Sequence, residues 1–282
     1  GTKIVVETEG KVTRTTTVWQ NKSYDAGQYG TSVLGDIIGS GRFTFPKSVY
    51  AVMDTLKYFI ANKKNALVVD FFAGSGTTMH AVNLLNSIDN GHRRCIMVTN
   101  NEVSADEAKA LDEKGYKPGD KEWDRLGIAK YVTWPRTVCS IKGCNIDGKP
   151  LDGNYGCNVE QYTEIDGEIV NPETGKKIRG KVYKKEKEPA YPELANLKMS
   201  DGFKTNAAFF KLSFLDKTSV ALGRQFRELL PVLWMKGGAV GKCPALENDN
   251  LPNMLILPQN KMAVLVDEIY YSEFDAELSQ HP

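Results

Sequence analysis

Residues 66–80 read ALVVDFFAGSGTTMH, an apolar run closing on Asp70, a turn of small residues and a threonine-rich segment. Leu67, Val68, Val69, Phe71 and Phe72 do not alternate with polar residues, which predicts a central parallel strand covered on both faces. The turn Gly74, Ser75, Gly76 lets the backbone approach a ligand where a Cβ would clash. Thr77 or Thr78 can then cap a helix whose apolar positions Ala81, Leu84, Leu85 and Ile88 fit the i, i+3, i+4, i+7 spacing. A helix start of this kind carries free N–H groups and a positive dipole end, which suit an anion such as a carboxylate.

Three nucleotide-type sites share this strand–turn–helix outline. A phosphate-binding Walker loop requires Gly-Lys-Ser/Thr, because the lysine neutralises phosphate charge, and no lysine occurs between Lys64 and Lys109. A dinucleotide fingerprint requires a third glycine for helix–strand packing, and Met79 stands in its place. What remains is Asp70-x-Phe72-x-Gly74-Ser75-Gly76-Thr77, with Phe71 and Ala73 at the variable positions. This string resembles motif I of the S-adenosylmethionine-dependent amino-methyltransferases of DNA. A plain strand-to-helix turn is the alternative.

A second block lies upstream. GRFTFPKSVY, residues 41–50, resembles motif X of the same enzymes, and Phe43, Phe45, Pro46 and Lys47 carry the match. Pro46 restricts Phe45 to extended backbone, and Ser48 is a fair N-cap for a helix bearing Val49, Val52, Met53 and Leu56. The family usually has a second proline where Ser48 stands. Core packing is the alternative role for Phe43 and Phe45. Motif X ahead of motif I resembles the β group, in which an Asp-Pro-Pro-Tyr type catalytic tetrapeptide lies further upstream. This chain has no such tetrapeptide and no Pro-Pro pair; Asn171-Pro172 is followed by Glu173. That tetrapeptide positions the exocyclic amine of a flipped base. The expectation is therefore a partial methyltransferase that transfers no methyl group alone.

HRRCIMVTNN, residues 92–101, predicts the next parallel strand, from Cys95 to Thr99. The resemblance implies a ribose contact at its end, where Asn100, Asn101 and Glu102 stand in place of the usual acidic residue. A simple turn into the next helix is the alternative for Asn100 and Asn101. Text before motif X, TVWQNKSYDAGQYGTSVLGDIIG, resembles the methylation (Mod) subunits of type III restriction-modification systems. GIAKYVTWPRT (127–137) and GFKTNAAFFKL (202–212) extend that resemblance without an assignable chemistry. The branch implies adenine N6 as target, S-adenosylmethionine as cofactor, and double-stranded DNA and a restriction subunit as partners of the full-length protein. Cytosine N4 modification and a non-catalytic scaffold subunit are the alternatives.

Composition fits without adding much. Thirty-six basic and 35 acidic side chains give a net charge of +1, which does not advertise a DNA-binding face. The basic stretch GKKIRGKVYKKEK (175–187) reads as one arm of a solvated hairpin, its turn being Asn-Pro-Glu-Thr-Gly, in preference to a phosphate contact. Five cysteines and no membrane-length apolar run point to the cytoplasm. Cys139, Cys144 and Cys157 are spaced too loosely for a metal and read as buried thiols, and His80 reads as a packed or surface residue.

The predicted architecture is α/β. A Rossmann-like cofactor half spans residues 1–138, a hairpin-rich insertion 139–200, and a further α/β segment 201–282. The last carries apolar residues 209–215, a helix with Leu222, Phe226, Leu229 and Leu233, and a strand from Met262 to Val266. A cut sheet would leave the motif I strand with an open edge, which the C-terminal segment, a second copy or the catalytic half should cover.

Overall fold

The computed structural model describes residues 5–8, 11–14, 17–170, 174–212, 214–221, 225–246 and 251–281. It divides into two compact units, residues 1–209 and 210–282.

In the first unit, β1 (Val5–Thr8) and β2 (Lys11–Arg14) form a hairpin ahead of α1 (Val33–Ile38) and α2 (Val49–Ile60). The motif I region follows as β3 (Leu67–Asp70), α3 (Thr77–Asp89) and β4 (Arg94–Met97), with β3 and β4 parallel and Val69 opposite Ile96. Two short helices, α4 (Ala105–Glu113) and α5 (Lys121–Leu126), precede α6 (Trp134–Lys142). A long antiparallel hairpin, β5 (Asn158–Val170) with β6 (Lys177–Pro189), follows.

The core forms where helices meet. Ile37, Ile38, Met53, Ala81, Leu84 and Leu85 are fully or almost fully buried, so the helical spacing of α3 does what its pattern predicts. Ser48 caps α2 as expected, its hydroxyl accepting from Ala51 N at 3.4 Å and donating to Ser23 O at 2.7 Å. Packing runs straight through residue 138. Leu151, Tyr155, Leu194, Met199 and Phe203 join the same core as Met53 and Leu84, so residues 139–209 pack within the first unit. The reason is geometric: α6 ends on Gly143 at φ 68°, and the chain then folds back so tightly that a Cβ there would strike the Ser200 carbonyl.

The sheet differs from expectation. Among the described residues β3 pairs with β4 alone, and its burial alternates: Leu67 is 50% and Val69 46% exposed, as is Ile96 at 49% across the pair. Among the described residues of the first unit no third strand pairs with these two, and the alternate residues stay exposed. In the second unit β7 (Met254–Leu257) and β8 (Met262–Leu265) pair with each other.

The β5–β6 hairpin has the predicted form, although Asn171, Pro172 and Glu173 lie outside the described residues. Its lysines are matched across and along the strands, Lys185 with Glu160 at 2.6 Å, Lys181 with Glu164 at 3.2 Å and Lys177 with Glu168 at 2.9 Å. This is a solvated ladder of opposite charges.

The second unit contains α7 (Lys217–Ala221), α8 (Phe226–Lys236), the β7–β8 hairpin and α9 (Tyr271–Leu278). Residues 209–212 and 214–215 form no strand, and Leu212 and Phe214 are exposed. Leu222 lies outside the described residues. The buried stripe of α8 is Phe226, Leu230 and Trp234, not the expected Phe226, Leu229 and Leu233. Trp234 sets that phase: burying the largest ring also lets its N–H donate to Val240 O at 3.3 Å.

Candidate functional site

The turn after β3 is fastened from within. Asp70 Oδ1 accepts from Phe72 N at 3.0 Å and Oδ2 from the Thr78 hydroxyl at 2.6 Å, so one carboxylate clamps the strand end to the helix start. Gly74 and Gly76 take φ of 49° and 75°. A Cβ on Gly74 would lie 3.3 Å from Phe43 Cζ, and one on Gly76 3.2 Å from Thr133 Cγ2. The glycines thus admit the protein's own side chains as well as a left-handed backbone.

The N-cap of α3 is Gly76, not a threonine, and no side chain caps the helix. Both threonines sit inside the first turn with their hydroxyls engaged elsewhere, Thr78 with Asp70 and Thr77 with Ser75 at 2.9 Å. The first-turn amides, which lack intrahelical acceptors, are therefore left for a ligand or water.

Motif X meets this turn through Phe43, which is partly buried against the core beside Gly74. Pro46 is buried and Lys47 exposed. Phe45 departs from expectation: it takes φ 56° instead of extended backbone and is 88% exposed. A tight bend here presses the Pro46 carbonyl onto Gly30, where a Cβ would clash, and that close approach overrides the preference imposed by the proline. Phe71 and Phe72 are exposed on the same turn at 66% and 93%.

The end of β4 stands beside the end of β3, with Ala73 N donating to Val98 O at 3.2 Å. Asn100 and Glu102 are exposed and bonded to each other at 2.9 Å. Asn101 is spent internally: its Nδ2 donates to Asp124 O at 2.8 Å and its Oδ1 accepts from Lys130 N at 3.2 Å. Ser104, not an asparagine, caps the next helix and exchanges hydrogen bonds with Glu107.

Behind the turn lies a cluster that sequence reasoning missed, drawn from the two segments left without a chemistry. The Thr133 hydroxyl donates to Gly74 O at 2.6 Å. Arg136 has no exposed surface; its Nη1 donates to Thr77 Oγ1 at 2.8 Å, Ser75 Oγ at 3.2 Å and Ser75 O at 3.3 Å. Its Nη2 lies 3.5 Å from His80 Nδ1, and His80 Nε2 lies 2.8 Å from the Tyr155 hydroxyl. A guanidinium only donates, so Nδ1 is the acceptor and Nε2 carries the imidazole proton. Burial, and then the Arg136 charge, hold the His80 pKa well below the usual histidine value, so the ring is neutral. Phe203 closes the cluster, its ring edge-on to His80 at 5.6 Å. The available signal was an arginine among the small residues of α6, at a position the helix turns inward.

The five cysteines are free thiols, and no group of three metal-type ligands occurs among the described residues. No helix among them is long and apolar enough to cross a membrane.

Comparison with known proteins gives this turn a context. Residues 2–110 match the DNA methylase family. The chain is 41% identical over 86 residues to the type III restriction-modification enzyme EcoPI Mod subunit of Escherichia phage P1, covering 30% of this chain and 13% of the relative. It is 39% identical over 85 residues to the type II methyltransferase M.KpnI of Klebsiella pneumoniae, covering 30% of this chain and 20% of the relative. The StyLTI Mod subunit of Salmonella typhimurium is likewise 39% identical over 85 residues, with 12% of its length covered. The matched segment is thus a fifth or less of each relative. Residues 2–110, which hold β3, the glycine turn and α3, thus resemble a DNA methylase domain, and part of the chain is similar to methyltransferases of type II and type III restriction-modification systems.

Proposed function

We propose that the first unit is the S-adenosylmethionine-binding part of a Rossmann-like amino-methyltransferase that methylates adenine N6 in double-stranded DNA. The observation that carries this reading is the start of α3, without a side-chain cap, at the carboxyl ends of two parallel strands and beside exposed aromatic side chains. These groups fit the cofactor's two ends. The amides of the turn would take its carboxylate; Phe43, Phe45, Phe71 and Phe72 would flank its apolar and aromatic parts, with Pro46 and Lys47 bordering them. Asn100 and Glu102 would offer hydrogen bonds to the ribose, with Asn101 holding the loop. The cofactor supplies an electrophilic methyl group.

The chain carries no Asp-Pro-Pro-Tyr type tetrapeptide, so the amine-positioning step belongs to a catalytic half that docks on the open side of β3 and β4. DNA, and a restriction subunit where one exists, would be partners of that completed enzyme, which a cytoplasmic setting with reduced thiols suits.

Isothermal titration with S-adenosylmethionine and S-adenosylhomocysteine, with ATP as control, tests the pocket. Micromolar binding of the first two, weakened more than about tenfold by the exposed-site change Phe72→Asp, is expected. A folded chain that binds neither, or binds ATP equally well, overturns the reading. Tritium transfer from labelled cofactor to DNA by this chain alone would overturn the division of labour.

A further inference from the structure

We propose that Arg136 is a positioning residue for the cofactor's carboxylate, a buried cation that makes the motif I turn selective for a ligand with a negative end. The inference rests on the cofactor reading above and deepens it. Three observations converge.

Arg136 is wholly buried, yet among the described residues it meets no carboxylate: its partners are Ser75, Thr77 and His80, all neutral. Its Nε is also left without a hydrogen-bond partner. A full charge inside a protein without a counter-ion is costly, and such charges are normally paired. Burial lowers the Arg136 pKa only to about 10, so the guanidinium keeps its charge near neutral pH.

The charge also has a direction. Nη1 reaches the side chains of Ser75 and Thr77, which stand on either side of Gly76, the uncapped N-cap of a 13-residue helix. The helix dipole and the guanidinium therefore add at one place, and a carboxylate at the first-turn amides would be the counter-ion that the protein lacks. His80 reinforces this. Held neutral with Nδ1 as acceptor, it orients the guanidinium without competing with it for an anion.

The arrangement also differs from an exposed lysine or arginine clamp. Arg136 does not touch the ligand's side of the turn; it acts through Ser75 and Thr77, and no bulk water screens it.

The test compares S-adenosylmethionine with its decarboxylated form, which lacks only the carboxylate, in calorimetric titrations of the whole chain. The unaltered protein should favour the carboxylate-bearing cofactor, and Arg136→Met should shrink that preference about tenfold while binding of the decarboxylated form changes little. Equal weakening of both cofactors would show a purely structural role and overturn the proposal while leaving the cofactor reading intact. Binding of neither cofactor to the unaltered folded chain fails that reading and the proposal with it. Should Arg136→Met fail to fold, the unaltered chain still decides. Its preference should persist from about 0.01 M to about 1 M salt, over which the Debye length falls from roughly 30 to roughly 3 Å. A preference that vanishes with salt would assign carboxylate recognition to exposed charges and overturn the role of Arg136.

Discussion

The two sides of the β3–turn–α3 unit are built to different degrees of completion. On the helix side, seven consecutive or nearly consecutive residues of α3 from Thr77 to Leu85 are buried, and the Gly74 and Ser75 carbonyls and the Ser75 and Thr77 hydroxyls meet Thr133 or Arg136. On the strand side, Leu67, Val69, Phe71, Ile96 and Val98 are all more than 40% exposed. A parallel sheet is ordinarily covered on both faces, because its strands are apolar throughout. The contrast teaches that, among the described residues, the helix side of this pair is packed and its other face is exposed.

Substitutions can break that contrast. The largest effect is expected at Leu84→Ala, which empties a fully buried site and should cost about 2–5 kcal/mol in urea unfolding. Gly76→Ala follows, at about 1–2 kcal/mol, since φ 75° is left-handed and the new Cβ meets Thr133. His80 supplies a pH signature. Its folded pKa lies below the unfolded value of about 6.5, so the unfolded chain binds the extra proton and stability falls as pH drops through about 6.5. His80→Gln should flatten the thermal midpoint between about pH 7 and about pH 5; an unchanged slope would mean that the ring is accessible. On the strand side Leu67→Ser should cost under about 0.5 kcal/mol in this chain, and a loss as large as that of Leu84→Ala would show that the face is covered. Smallest of all, Lys181→Ala in the hairpin ladder should leave the urea midpoint unmoved.

What could be read from sequence follows the same division. The spacing of Ala81, Leu84 and Leu85, the Ser48 cap and the charged hairpin were legible because each depends on local periodicity or turn chemistry. The apolar run at residues 67–72 was equally legible as a parallel strand, but its exposure was not, since apolarity reports what a segment is suited to bury against, not whether the partner is present. Arg136 was hidden for another reason. Its role depends on α6 crossing behind a turn 61 residues earlier in the chain, and no periodicity encodes that contact. Asn101 and Phe45 show the limit for single residues: the first is claimed by the Asp124–Lys130 loop, the second by the close approach of Pro46 to Gly30.

The contiguity of β3, α3 and β4 bears on how the molecule comes into being. Loop-closure entropy is small for a segment that pairs its first strand with its third element, so this unit suits early folding. Leu84→Ala should then slow refolding more than it speeds unfolding. A nucleus of that kind, whose two strands pair only with each other among the described residues, is a template on which later-arriving strands can register.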